Sequence, residues 1–366
     1  MHTRRLKNIG TVTVALLTLC CSMRVMADAP EPPLSASDRN DILQTLADKL
    51  QTNYVFPDIA SKVSAALAAK AKQGGYDKAH TPSELAEALA TDLRVMGNDK
   101  HFNIRYDPDF HPTSPDALPT QEELDHMRSE DIKRTYGIEK MQRLPGNVGY
   151  LELRGFGAPE FVTDAYTAAL SILAGTDALI IDLRRNGGGE PNSVAAFLSH
   201  FFPQGDQRHL NDLYWRAKDL TQQYWTNPAT PVRYNKPVYV LISPRTFSGG
   251  EECAYDFQTQ KRATIVGTTT GGGANPGDPF SLGHDLAMFI PTGRAINPIT
   301  HTNWEGVGVK PDIAVTPELA QQTAYVAILK TLVEKATDAE ERDYLQKTLS
   351  LAKKGESEAP VYTMHH

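Results

Sequence analysis

Between Pro237 and Gln260 the chain commits to a strand, a sharp turn and a helix. Val238-Tyr239-Val240-Leu241-Ile242 is a β-branched apolar run with the length of a buried strand. Ser243-Pro244 stops it, Thr246-Phe247-Ser248-Gly249-Gly250 turns it, and Glu251 to Gln260 has helix composition. Strand-to-helix junctions of this kind belong to α/β layers. The junction also sets Ser248 where unpaired helix N–H groups and the positive end of the helix dipole converge. That setting suits a nucleophile whose attack creates an oxyanion. Gly249 and Gly250 permit close backbone approach. The same residues also describe an ordinary N-cap followed by a glycine turn.

The chain around this junction repeats the alternation. Val148 to Leu153 and Ala178 to Leu183 read as strands, Glu160 to Leu173 and Val194 to Phe202 as helices, with short strands near 263–266 and 286–290. Residues 204–236, polar and aromatic, are expected to cover the site. Ahead of this body, Ser37 is the expected cap of a helix carrying Ile42, Leu46 and Leu50. A second, Ala-rich helix ends at Gly74-Gly75, and Thr81-Pro82-Ser83-Glu84 starts a third. Phe102, Ile104 and Tyr106 alternate as a strand, which puts His101 at its mouth. The divisions that follow are 1–27 as an export signal, 35–107 as a helical N-terminal domain and 108–145 as a linker with one polar helix near 121–135. Residues 146–316 form the α/β body and 317–355 the C-terminal helices.

Composition narrows the function. A net charge of −7 without a Lys/Arg cluster in the body argues against a nucleic-acid partner. Arg4, Arg5 and Lys7, the apolar run Thr11 to Met23 and the small-residue site Val25-Met26-Ala27 read as a cleaved signal, with a mature start near Asp28. The run is too short to span a bilayer. A periplasmic or secreted protein with no membrane span is expected. Cleavage removes Cys20 and Cys21, so Cys253 alone remains, which excludes an internal disulfide and a thiolate zinc site. Cys253 itself reads as a small buried residue.

Gly187-Gly188-Gly189 and Gly271-Gly272-Gly273 fit neither dinucleotide nor phosphate-loop patterns, and no cofactor or metal is expected. Asp182 to Gly189 ends a strand and could offer amides to an oxyanion, or simply make a tight turn. A serine nucleophile needs a base. His80, His111, His126, His200 and His209 read as surface residues, and His284 and His301 as turn residues. His101 alone joins a strand mouth. Asp99, Glu251, Glu252 and Glu305 sit near special turns, each with an ordinary solvated charge as the alternative.

Three motifs occur in order: Asp182-Leu183-Arg184-Arg185-Asn186-Gly187-Gly188-Gly189, Thr246-Phe247-Ser248-Gly249-Gly250-Glu251-Glu252 and Arg262-Ala263-Thr264-Ile265-Val266-Gly267. In these the chain resembles the tail-specific, or C-terminal processing, serine peptidases. Asp99-Lys100-His101, Gly146 to Tyr150 and Asn303 to Asp312 resemble the branch related to interphotoreceptor retinoid-binding protein and, more distantly, tricorn protease. The resemblance runs from about residue 40 to 330. It implies a crotonase-like (ClpP/crotonase) β-β-α core with a helical N-terminal domain. It implies Ser248 as nucleophile, with the Gly249 amide and an amide of Gly188 or Gly189 as oxyanion hole.

Two departures mark this chain. The processing peptidases place a lysine base where Gly273 stands, and they carry a PDZ domain, for which the stretch between His101 and Gly146 is too short. A tricorn-like pattern instead implies His101 as base, with Lys100 the other candidate, and Glu305 as its orienting partner. Lys100 stands where that pattern has a serine, and Asn275 where many relatives have histidine. The implied activity is an exported serine endopeptidase acting on peptides or unfolded protein tails, in no particular oligomeric state. The alternatives are a non-catalytic binding protein for a retinoid or fatty acid and, behind it, an acyl-CoA enzyme.

Overall fold

The computed structural model describes residues 31–111 and 119–357; the expected export signal at 1–27 lies outside them. Three helices open the fold: α1 (Ala36–Asn53), α2 (Pro57–Lys72) and α3 (Pro82–Gly97). Ser35, rather than Ser37, starts α1, because Asp38 can answer it. The Asp38 amide donates to Ser35 Oγ (3.1 Å) and the Ser35 amide to the Asp38 carboxylate (2.8 Å). Thr81 and Glu84 repeat the arrangement ahead of Pro82. Ile42, Leu46 and Leu50, and Leu85, Leu89 and Leu93, turn one face of each helix inward and are fully buried. Such side chains contribute about 1.5–3 kcal/mol each. Caps contribute about 1 kcal/mol, so packing rather than capping holds this region.

After α3 the chain turns at Asn98 (φ 48°) into β1 (Asn103–Tyr106). Helix α4 (Gln121–Lys133) follows, as expected. The stretch read as linker also contains a strand, β2 (Ile138–Leu144), antiparallel to β3 (Val148–Leu153). Its residues are mostly exposed and include Glu139, Lys140 and Arg143, the dress of an edge strand, so no apolar alternation announces it.

Then come α5 (Pro159–Leu173), β4 (Ala178–Asp182), α6 (Pro191–Leu198), the hairpin β5 (His209–Trp215) and β6 (Leu220–Trp225), β7 (Val238–Ile242), α7 (Gly249–Thr259) and β8 (Thr264–Gly267). The chain finishes with β9 (Gly277–Gly283), β10 (Leu286–Pro291), β11 (Gly293–Ile296), β12 (Ile313–Ala314), α8 (Pro317–Lys335) and α9 (Ala339–Lys354).

The main sheet has the order β12-β8-β7-β4-β3-β2, parallel except for the edge pair β2–β3. Leu179, Ile181, Val240 and Ile242 face a core shared with α5, α6 and α7. Ala178, Ile180, Leu241 and Val266 face α8 and α9. Cover on both faces is why these strands read as unbroken apolar runs. The hairpin β5–β6 extends with β11 into a second sheet. The third sheet has the order β1-β10-β9, with Asn103 opposite Phe289. Leu282, Leu286, Met288 and Ile290 therefore share the core of the N-terminal helices. The helical region is closed by strands from the far end of the chain, and that pairing brings His101 toward the main sheet.

Candidate active site

β4 and β7 run parallel, Asp182 opposite Leu241, so the two glycine turns beyond them leave the same sheet edge. The turns are stitched together: Thr246 Oγ1 donates to the Leu183 carbonyl (2.7 Å) and the Phe247 amide to the Asn186 carbonyl (3.0 Å). Ser248 takes φ 53° and ψ −124°, a costly conformation for a residue with a side chain. Such a strained strand-to-helix turn thrusts a serine hydroxyl out of the backbone.

The turn is held from behind by Glu251, which is fully buried. Its carboxylate accepts the amides of Ser248 (3.0 Å), Gly272 (2.6 Å) and Gly273 (2.8 Å) and the hydroxyl of Thr270 (2.5 Å). Burial raises its pKa, and these donors pull the other way. Glu251 is thus a strut between two glycine loops rather than a solvated charge. Glu252 (4 % exposed) and Asp99 (1 % exposed) are buried as well.

Gly188 and Gly189 lie against Ser248 and Gly249. A Cβ on Gly188 (φ 102°) would stand 2.7 Å from Ser248 Cβ, and one on Gly249 would stand 3.1 Å from the Gly189 nitrogen. Glycine is required for the approach. The Gly188 amide is spent on Asn186 Oδ1 at 2.8 Å. The amides of Gly189 and Gly249 donate to nothing among the described residues, which leaves these two for a ligand.

His101 faces Ser248 across one cleft of about 480 Å³, lined also by Gly189, Gly249, Glu252, Trp215 and Tyr224. A larger groove of about 590 Å³ between α8, α9 and the sheet contains none of these groups. The hairpin expected to cover the site does supply Trp215 and Tyr224. The His101 ring packs against Phe247, centroids 4.7 Å apart, with its side chain 10 % exposed and neither nitrogen hydrogen-bonded. A Cβ on Gly273 would fall 2.7 Å from His101 Cε1 and 2.3 Å from Phe247 Cζ. The histidine ring and a side chain at Gly273 exclude each other. Lys100 turns away, its exposed ammonium donating to the Gly271 carbonyl (2.5 Å).

Two carboxyl groups back the histidine. Asp99 Oδ1 lies 3.6 Å from His101 Nδ1 and accepts the His101 amide at 3.0 Å. Asp99 Oδ2 accepts Tyr54 Oη (3.3 Å) and Asn275 Nδ2 (2.9 Å). Burial, then the Asp99 charge, pushes the Tyr54 hydroxyl well up. Glu305 Oε2 accepts the Ala274 amide (2.5 Å), and its Oε1 is enclosed without a partner. Burial first, then the Asp99 charge, pushes the Glu305 carboxyl up to about 8. Asp99, His101 and Glu305 each bring a ligand-capable atom within 4.8 Å of the others, a spacing that a metal could also use.

The structure thus gathers Ser248, His101, Glu305, Gly249, Gly188 and Gly189 in one place. Sequence reasoning named Asp99 and Asn275 without giving either a role beside His101, and it passed over Tyr54. The signal for Asp99 was its place two residues before the histidine, from which a side chain can reach back to the backbone. His200, expected at the surface, is 1 % exposed. Its Nδ1 is 2.8 Å from the Val232 carbonyl, and burial lowers its pKa. His209 is half-buried, stacked on Trp225 with Nε2 2.6 Å from Asp212. Cys253 is fully buried. Among the described residues no helix is long and apolar enough to cross a membrane.

Two stretches of the chain match known protein families. Residues 147–315 match peptidase family S41, and residues 35–140 match the N-terminal domain of peptidase S41 in eukaryotic IRBP. The carboxy-terminal-processing protease of Bartonella bacilliformis is 31 % identical over 209 residues, 52 % of this chain and 45 % of that protein. The chain spans less than half the length of the curated relatives it matches. Among solved structures, the photosystem II D1 C-terminal processing protease aligns with 77 % of this chain and 94 % of its own at 15 % identity (TM-score 0.50). Tricorn protease aligns with 81 % of this chain and 37 % of its own at 14 % identity (TM-score 0.51). At such identities these two speak to the fold, an α/β arrangement of mixed sheets and helices.

Proposed function

We propose that this chain, with its peptidase family S41 domain at residues 147–315, is an exported serine endopeptidase acting on peptides or unfolded protein tails. In this reading the sheet is a crotonase-like β-β-α core, with α4 rather than a PDZ module between His101 and Gly146. Ser248 Oγ attacks the scissile carbonyl carbon while His101 takes its proton. The oxyanion receives the amides of Gly249 and Gly189. The intermediate collapses, His101 returns the proton to the leaving amine, and water hydrolyses the acyl-enzyme by the same route. Glu305, with its carboxyl pushed up to about 8, stands mostly protonated at neutral pH and helps orient the base region rather than balance its charge.

One observation carries the reading: a serine on a strained turn and a histidine with unengaged nitrogens share a cleft with two unspent amides. The His101 ring also occupies the space that a lysine at position 273 would need. A fluorophosphonate probe should label wild-type protein at Ser248. Ser248→Ala should fold and stay unlabelled, and His101→Ala should lose about a thousandfold or more in rate. Folded wild-type protein that resists the probe and hydrolyses no unstructured peptide would refute the assignment.

A further inference from the structure

We propose that Asp99 is the positioning residue for the His101 base, the carboxylate that holds the ring tautomer and balances its charge during attack. The inference rests on the serine–histidine reading above and adds to it the division of labour between two carboxyl groups. Both approach the histidine, and they differ in what surrounds them.

Asp99 is 1 % exposed and meets donors only: the His101 amide (3.0 Å), Asn275 Nδ2 (2.9 Å) and Tyr54 Oη (3.3 Å). A set made wholly of donors suits an ionised carboxylate, which has lone pairs and no proton to give. Glu305 meets backbone amides only, at Ala274 and Asn275, and keeps an enclosed oxygen without a partner. Two carboxyl groups at one site do not both ionise readily, and the one with more hydrogen-bond donors around it keeps the charge. Here the donors lie around Asp99, so Asp99 carries the charge and Glu305 the proton, in keeping with the upward push on Glu305. Lys100, the nearest cation in sequence, is turned to the Gly271 carbonyl.

Geometry then assigns the histidine tautomer. Asp99 Oδ1 is 3.6 Å from Nδ1, and the Asx-type bond from the His101 amide fixes that oxygen beside the ring. A small ring rotation closes Nδ1–H to Oδ1, of the kind that tightens when substrate binds. The proton on Nδ1 leaves Nε2, which has no partner of its own, with a lone pair to accept a proton in the cleft that His101 shares with Ser248. When Nε2 accepts the serine proton, the imidazolium faces an anion that already sits in place. Asp99 thus supplies orientation and charge from two residues away, through the turn itself, where a serine relay before the histidine would otherwise stand.

Peptide hydrolysis with purified full chain tests this. Asp99→Asn keeps the shape and removes the charge. It should lower kcat by about 10³–10⁴-fold and leave KM within about threefold, as loss of an orienting carboxylate does. Glu305→Gln, which mimics the protonated form, should cost about tenfold or less. A larger loss in Glu305→Gln than in Asp99→Asn would assign the role to Glu305 and overturn the proposal. Histidine ¹⁵N NMR of the Ser248→Ala protein, with Asp99 intact, gives an answer even if Asp99→Asn fails to fold. Neutral His101 should carry its proton on Nδ1, and a proton on Nε2 would refute the inference. Activity lost in EDTA and restored by Zn²⁺ would make the three groups a metal centre and refute it as well. Ser248 labelling in wild type reports separately on the underlying reading.

Discussion

Gly273→Ala is a one-carbon test of how the site is packed. The added Cβ would lie 2.3 Å from Phe247 Cζ and 2.7 Å from His101 Cε1, where ordinary contact begins near 3.4 Å. Relief therefore takes a shift of roughly 1.1 Å by one ring and roughly 0.7 Å by the other. Both rings are only partly buried and pack against each other at a 43° tilt, centroids 4.7 Å apart, so they move together rather than unfold the site. The expected loss of stability is modest, about 1–2 kcal/mol, the usual range for overpacking. The expected loss of activity is larger, because a misplacement of about 1 Å at a catalytic group costs on the order of 100-fold. That corresponds to about 2.7 kcal/mol of barrier. The assay pairs kcat/KM on an unstructured peptide with the rate of fluorophosphonate labelling, and urea unfolding reports stability. A variant within threefold of wild type in both rates would show that the ring is not the base or that the loop yields freely. Either result defeats the steric argument.

Two further outcomes are expected. Burial pushes the Glu252 carboxyl up to about 8, against about 4.3 in an unfolded chain. The folded state then holds the extra proton, so this group's contribution is complete below about pH 4.3 and is lost as pH rises toward about 8. Glu252→Gln should be more stable relative to wild type at pH 9 than at pH 5, by roughly 4 kcal/mol in urea unfolding. An equal difference at both values would refute the titration. For export, mass spectrometry of protein recovered outside the cytoplasm should find an N-terminus at or near Asp28. An intact Met1 there would refute the signal reading.

The local elements were legible because their causes are local. The start marked by Thr81 and Glu84, with Pro82 at the first helical position, and the spacing of Ile42, Leu46 and Leu50 act within a few residues of one another, though the cap of α1 lies at Ser35 and not at Ser37. The doubly covered strands Ala178–Asp182 and Val238–Ile242 show both faces as apolar in the sequence itself. Edge strand β2 did not show, because an exposed strand with charges carries no burial pattern. The buried His200 misled for the converse reason: a polar residue looks the same in sequence whether or not the fold gives it a partner. Ser248 and the two glycine turns were readable as motifs, and the parallel register of β4 with β7 is what makes them neighbours. The approach of His101 depends on β1 pairing with β10, a contact between distant parts of the chain that only chain closure creates. The proposed choice of Gly189 over Gly188 as amide donor, and of Asp99 over Glu305 as the charged partner, rests on which hydrogen-bonding groups are already occupied. Occupancy is a property of neighbours in space, so the sequence by itself determined the parts and the tertiary structure decided which of them remain available for chemistry.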